Sequence, residues 1–115
     1  MLTIYHNPRC SKSRQTLALI EDNKQDVSIV EYLKTPLNKE TIEQLLTLLS
    51  LSPREMMRTK ENEYNEQNLA NADDATLIAA MVATPKLIER PIVTDGEHAI
   101  IGRPPENVLS LITNK

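Results

Sequence analysis

Leu2-Thr3-Ile4-Tyr5-His6-Asn7-Pro8-Arg9-Cys10-Ser11-Lys12-Ser13-Arg14 decides how this chain begins to fold. Residues 2–5 form a short apolar run that reads as a first strand. Asn7-Pro8 ends it, because the residue before a proline is held out of the helical region. From Ser11 a helical pattern begins, with Leu17 and Ile20 on one face. Cys10 therefore falls at a strand–loop–helix junction, at the positive end of a helix.

Cys10 is the only cysteine in the 115 residues. A thiolate at a helix start is favoured by the helix dipole and by free backbone N–H groups. His6, Arg9, Lys12 and Arg14 crowd the same loop, and nearby positive charge acts in the same direction. The bland alternative is a small buried hydrophobe, since free cysteine is often only that. The polar, cationic surroundings argue against burial and for a reactive thiol.

The length predicts a single domain over residues 1–115, with enough apolar residues (40%) for its own core. That core is aliphatic, because the chain has no Trp, no Phe and three Tyr. Two glycines, Gly96 and Gly102, cannot compose a phosphate-binding loop or a dinucleotide fingerprint. A net charge of −3 does not suggest bulk nucleic-acid binding. No basic stretch followed by an apolar run opens the sequence, so no secretory leader is expected, and no run approaches the roughly 20 apolar residues of a membrane span. One cysteine cannot close an internal disulfide, and a structural zinc site would lack thiolates. The expectations are a cytoplasmic, reducing setting, no metal and no tightly bound cofactor.

Further along, residues 27–33 read as a second strand, ended by Thr35-Pro36. Asn38 is a good N-cap, with Leu37 and Ile42 placed as a hydrophobic staple. Ile42, Leu45, Leu46 and Leu49 follow the spacing of a buried helical stripe. Ser52-Pro53-Arg54-Glu55 is a capping box opening a short helix that carries Met56 and Met57. Residues 60–68 are polar with no strong period. Asp73 or Asp74 caps another helix, with Leu77, Ile78, Met81 and Val82 inward, and Thr84-Pro85 starts one more turn. Residues 91–94 read as a strand, Asp95-Gly96 as a tight turn, and residues 98–101 as the hairpin partner. Pro104-Pro105 begins a last helix with Val108, Leu109 and Ile112 inward. The order is βαβ, several helices, then ββα. It predicts an α/β, thioredoxin-like fold, with a four-stranded mixed sheet and a helical insertion at about 38–88.

Residues 4–14 resemble the active-site loop of the glutaredoxin-linked arsenate reductases, the ArsC family. So do Arg90-Pro91-Ile92-Val93 and Gly102-Arg103-Pro104-Pro105, and also Met56-Met57-Arg58 and the Tyr64…Asn68-Leu69 stretch. The resemblance covers almost the whole chain and is nearest to a short bacterial branch whose loop reads Cys-Ser-Lys-Ser. It implies a cytoplasmic enzyme in which the Cys10 thiolate attacks arsenate, glutathione attacks the adduct, and glutaredoxin resolves the mixed disulfide to release arsenite. It implies that Arg58, Arg90 and Arg103 hold the oxyanion, that His6 and Ser13 support the thiolate, and that the Arg90-Pro91 bond is cis.

Two positions depart from the family pattern. Many members carry Gly-Thr where this chain has Ser11-Lys12, and some carry a cysteine where Gly102 stands. Related transcription regulators carry a second cysteine at the position of Ser13, so an internal disulfide switch is excluded here. The unrelated phosphatase-derived arsenate reductases need Cys-x5-Arg, and that spacing from Cys10 lands on Thr16.

Residue chemistry alone leaves simpler readings open. Arg58 reads as a solvated helix arginine, and Arg90 as a surface ion pair with Glu89 or Glu106, worth about 0–1 kcal/mol. Arg103, between Gly102 and two prolines, is awkwardly placed for a solvated side chain. Three guanidinium forks near one thiolate would suit a tetrahedral oxyanion. Lys12 either guides anions or is simply solvated, and His98 has no role. The expected activity is arsenate reduction. The alternatives are a glutathione-dependent thiol oxidoreductase with another substrate, or a protein-binding regulator.

Overall fold

The computed structural model of the protein describes residues 2–113. Four strands form one mixed sheet in the order β2-β1-β3-β4: β1 Leu2–Tyr5, β2 Val27–Val30, β3 Ile92–Thr94 and β4 Ala99–Ile101. β1 runs parallel to β2, with Leu2 opposite Val27, and antiparallel to β3, with Ile4 opposite Val93. The parallel pair is joined by helix α1, Ser11–Asp22. The hairpin β3–β4 is followed by a 3-10 turn at Pro105–Val108 and helix α5, Leu109–Thr113. This βαβ plus ββα arrangement is the thioredoxin-like α/β fold that the order of elements predicts.

Alternation fixes which face of the sheet is covered. Leu2 and Ile4 are wholly buried while Thr3 and Tyr5 are half-buried. Leu2, Ile4, Ile20, Val93, Val108 and Leu111 form one aliphatic core, with Leu17, Ile100 and Ile112 packed at its margin. β2 stops at Val30, short of the expected residue 33. The Glu31 carbonyl accepts from both the Lys34 and Thr35 N–H groups at 2.9 Å, which turns the chain. Tyr32 is buried beyond the strand's end and Leu33 is exposed. In the hairpin, Gly96 takes a positive φ of 96°, and Asp95 Oδ1 accepts from the Glu97 and His98 N–H groups.

The chain groups into two compact units, one made of Met1–Thr35 and Arg90–Lys115, the other of Pro36–Glu89. The second unit holds the helices read at about 38–88. Asn38 Oδ1 caps α2 (Lys39–Leu49) by accepting from Thr41 N–H at 2.8 Å, and Asp73 Oδ1 caps α4 (Asp74–Ala83) by accepting from Thr76 N–H at 2.9 Å. The two helices pack together; α2 buries Ile42, Leu45 and Leu46, and α4 buries Leu77, Ile78, Ala80 and Met81. Leu49 and Val82 are half-buried at the edge of these stripes, and Ala80 takes an inward place.

The capping box forms, with Ser52 N–H donating to Glu55 Oε1 at 2.9 Å, but it opens only a 3-10 turn at Arg54–Met56. The polar stretch without a period contains a short helix, α3 (Asn62–Glu66), that buries Tyr64. Arg54 ties this region together. Its Nε donates to Tyr64 Oη at 3.1 Å, and its Nη2 donates to the carbonyls of Leu69 and Ala72 at 3.0 and 3.1 Å.

Candidate active site

Cys10 is the N-cap of α1, and its main-chain oxygen accepts the first helical hydrogen bond, from Arg14 N–H at 3.0 Å. Asn7 shapes the loop in front of it. The Asn7 carbonyl accepts from Cys10 N–H at 3.0 Å, and Asn7 Oδ1 accepts from Arg9 N–H at 3.0 Å. An Asn before a proline is a turn-forming signal, so this ordering role was present in the sequence.

Cys10 is only 9% exposed, so the expectation that cationic surroundings keep it out of the interior is corrected. Burial pushes its pKa up, and this is the largest single influence. It is outweighed by the Ser13 and Lys12 N–H groups, which point at the sulfur from the helix start, and by the charges of Arg90 and Arg103. The net pKa is lowered, so the thiolate is favoured. The helix-start N–H groups act as the sequence suggests, but the charges that matter come from the ββα end of the chain. Arg9, Lys12 and Arg14 expose their side chains, and Arg14 Nη1 donates to the Pro8 carbonyl at 3.1 Å.

Arg90 and Arg103 are brought together by the hairpin. The bonds Arg90-Pro91 and Arg103-Pro104 are both cis, the first as the family resemblance implies and the second unforeseen. Arg103 Nε donates to the Arg90 carbonyl at 2.7 Å, and Arg103 Nη2 lies 3.7 Å from Cys10 Sγ. Arg90 keeps two donors, Nε and Nη1, buried without a hydrogen-bond partner. Buried guanidinium donors are rarely left so. An acceptor arriving from solution would complete them, and the ion pair with Glu89 or Glu106 is not what engages them.

His6 and Ser13 meet behind the loop. His6 Nδ1 lies 2.6 Å from Ser13 Oγ, and Ser13 Oγ accepts from Asn7 N–H at 3.0 Å. Both side chains are buried. Burial lowers the His6 pKa most, Glu31 opposes this and Arg14 adds to it, so the neutral ring is favoured. In the tautomer protonated at Nε2, the neutral imidazole accepts a hydrogen bond from the Ser13 hydroxyl at Nδ1, which completes a chain from Asn7 N–H through Ser13 to His6. That chain holds Ser13, whose own N–H faces the sulfur.

Arg58 belongs to the Pro36–Glu89 unit. Its Nη2 lies 2.6 Å from Glu61 Oε1, and its N–H donates to the Leu87 carbonyl at 2.7 Å. Lys86 joins the same group through Glu61 at 3.6 Å and Glu63 at 3.3 Å. His98 is exposed, 3.6 Å from Asp95. Among the described residues no group of three His, Cys, Asp or Glu is placed to hold a metal ion, and no helix is long and apolar enough to cross a membrane.

Comparison with known proteins identifies the family. The ArsC family matches residues 5–111. The chain belongs to the ArsC family. An arsenate reductase of Haemophilus influenzae is 47% identical over 113 residues, covering 95% of this chain and 97% of the relative. The uncharacterized protein YfgD of Escherichia coli is 52% identical over 112 residues, covering 95% and 94%. Among solved structures, an arsenate reductase from Vibrio cholerae superposes with a TM-score of 0.92 at 48% identity, covering 95% of each chain. ArsC membership thus accounts for the whole βαβ–insertion–ββα order and not only for the cysteine loop.

Proposed function

We propose that this ArsC-family chain is an arsenate reductase that uses the Cys10 thiolate as nucleophile, with glutathione and glutaredoxin as reductants. The observation that carries this reading is the pair of buried, unpartnered donors on Arg90, beside a thiol whose charged form is favoured. An anionic substrate would satisfy both donors and would otherwise be repelled by the thiolate.

The chemistry balances through two thiols. Cys10 sulfur forms a bond to arsenic(V), and an arsenate oxygen leaves as water. The glutathione sulfur then attacks Cys10 sulfur, the S–As bond breaks, and its electron pair stays on arsenic, which leaves as arsenite. Two electrons have passed from the two thiols, now joined as a mixed disulfide. A glutaredoxin thiolate attacks the glutathione sulfur of that disulfide, Cys10 leaves as the thiolate, and glutathione remains on glutaredoxin as a new mixed disulfide. His6 and Ser13 are positioning residues in this scheme, and Arg90 and Arg103 bind the oxyanion. The resemblance assigns Arg58 the same oxyanion-binding role, which its pairing with Glu61 leaves to be tested by substitution. The setting is cytoplasmic, where glutathione keeps thiols reduced.

The test is a coupled assay of arsenate reduction with glutathione and glutaredoxin, run beside Cys10→Ser. Turnover that needs all three and vanishes in the variant is expected. Turnover of glutathione mixed disulfides without arsenate reduction would instead make the chain a thiol oxidoreductase. Absence of any turnover would point to a protein-binding regulator.

A further inference from the structure

Gly102 is buried at the end of β4, and its φ lies outside the left-handed region, so conformational freedom is not why glycine stands there. Space is the reason. A Cβ at this position would lie 2.5 Å from Thr16 Oγ1, 3.1 Å from Thr16 Cγ2 and 2.9 Å from Pro91 Cγ. None of these atoms yields easily. Thr16 is wholly buried in α1, and its hydroxyl donates to the Lys12 carbonyl at 2.8 Å. Rotation about χ1 does not help, because a β-branched side chain keeps a heavy atom in at least one of the two crowded positions. Pro91 is buried and its ring is held by the peptide it closes.

The residue after Gly102 is Arg103, which reaches both the Arg90 carbonyl and Cys10 Sγ. Gly102 N–H donates to the Pro91 carbonyl at 2.9 Å and Arg103 N–H to the Ile101 carbonyl at 2.8 Å, so the segment seats as a rigid piece against β3. We propose that the bare Cα of Gly102 against Thr16 is a positioning contact that sets the distance of the Arg103 guanidinium from the Cys10 thiolate. Any side chain at 102 lifts this segment off α1 and withdraws Arg103 from the sulfur. Thr16 shares the role: its two γ atoms make two of the three close contacts, the shortest among them, so removing them relieves most of the crowding and leaves only the Pro91 ring contact. The proposal rests on the reading of Cys10 as nucleophile and Arg103 as its partner.

Gly102→Ala and the double variant Gly102→Ala/Thr16→Ala test it. The readouts are the rate of Cys10 alkylation by iodoacetamide against pH, steady-state arsenate kinetics, and circular dichroism for folding. Gly102→Ala is expected to raise the alkylation midpoint and to lower kcat/KM by up to about a hundredfold, the scale of a 1 Å misplacement. The double variant, with the γ atoms gone, is expected to return the midpoint toward that of the native protein. A folded Gly102→Ala protein with an unmoved midpoint overturns the proposal, even if it loses activity, because that loss would be merely structural. If Gly102→Ala does not fold, the double variant decides: a native midpoint supports the contact, and a raised midpoint or a failure to fold overturns it. A native protein that alkylates with a depressed midpoint yet does not reduce arsenate sinks the proposed activity alone and leaves this titration valid.

Discussion

Arg103 Nε donates to the main-chain oxygen of Arg90 at 2.7 Å while Nη2 of the same guanidinium lies 3.7 Å from Cys10 Sγ. One planar fork thus spans from the carbonyl of the cis Arg90-Pro91 peptide to the Cys10 sulfur. Its orientation depends on the Arg90 backbone and not on the Arg90 side chain, which keeps its own Nε and Nη1 for another acceptor. Lysine cannot reproduce this, because a single ammonium cannot hold the carbonyl and face the sulfur at the same time.

Arg103→Lys is therefore expected to keep the fold and lower arsenate kcat/KM about a hundredfold, the scale for losing one preorganised donor. Arg90→Lys is expected to lose a comparable amount, mostly in KM, since its two free donors would meet the ground-state anion. Steady-state kinetics on both variants checks this. Native turnover in both would mean that these arginines do not hold the substrate.

The thiol should ionise early. Alkylation rate plotted against pH is expected to show a midpoint below the value of roughly 8.5 for free cysteine. Stability follows the same linkage. The folded pKa is lowered, so the contribution of Cys10 is present above the unfolded pKa and is lost as pH falls through the folded one. Urea unfolding should therefore show native stability gaining on Cys10→Ser as pH rises through that window. A midpoint at or above the free value would remove the activated thiolate.

Much of this was legible because local signals agreed. The strand–Asn-Pro–helix opening put Cys10 at a helix start, and Asn38 announced α2, and Asp73 or Asp74 announced α4, by capping chemistry, which the structure resolves to Asp73. The Asp95-Gly96 turn fixed the hairpin. What stayed hidden depends on groups distant in sequence. The cations acting on Cys10 looked local, yet Arg90 and Arg103 supply the charge, because the hairpin returns beside β1. The stretch around Tyr64 gave no periodic pattern, so α3 went unseen; its one buried side chain, Tyr64, is held by a part-buried hydrogen bond from Arg54 and not by an apolar stripe. Gly102 looked like a departure from a family motif, and only the position of Thr16 explains it.

Arg54 is expected to matter for stability. Arg54→Met keeps the aliphatic stem but leaves Tyr64 Oη and the Leu69 and Ala72 carbonyls without their donor. A cost of about 1–3 kcal/mol is expected, the range for orphaned part-buried groups. Tyr64→Phe, which removes one bond and leaves the two carbonyls served, should cost less. Denaturant melts of the two variants give the ranking, and equal costs would mean that the carbonyl contacts contribute nothing.

His6 should make the protein acid-sensitive. Its pKa is lowered first by burial, with Arg14 adding and Glu31 opposing. The unfolded chain then binds a proton more readily than the folded one, so stability rises with pH across this group. The contribution is full above the unfolded value of about 6.5 and is lost as pH falls through the folded value. Protonation also puts a proton on Nδ1, which then cannot accept from the Ser13 hydroxyl; the Ser13–His6 bond must reverse, leaving Ser13 Oγ to accept from both Nδ1–H and Asn7 N–H. Ser13→Ala should show the static side of this arrangement, a loss of about 1–3 kcal/mol from leaving Asn7 N–H and the buried ring unpaired. His6→Gln should show the titrating side. Its urea midpoint is expected to fall less steeply between pH 7.5 and 5 than that of the native protein. Parallel slopes for the two proteins would mean that His6 keeps its ordinary pKa on folding, and that the hydrogen bond to Ser13 does not depend on a neutral ring.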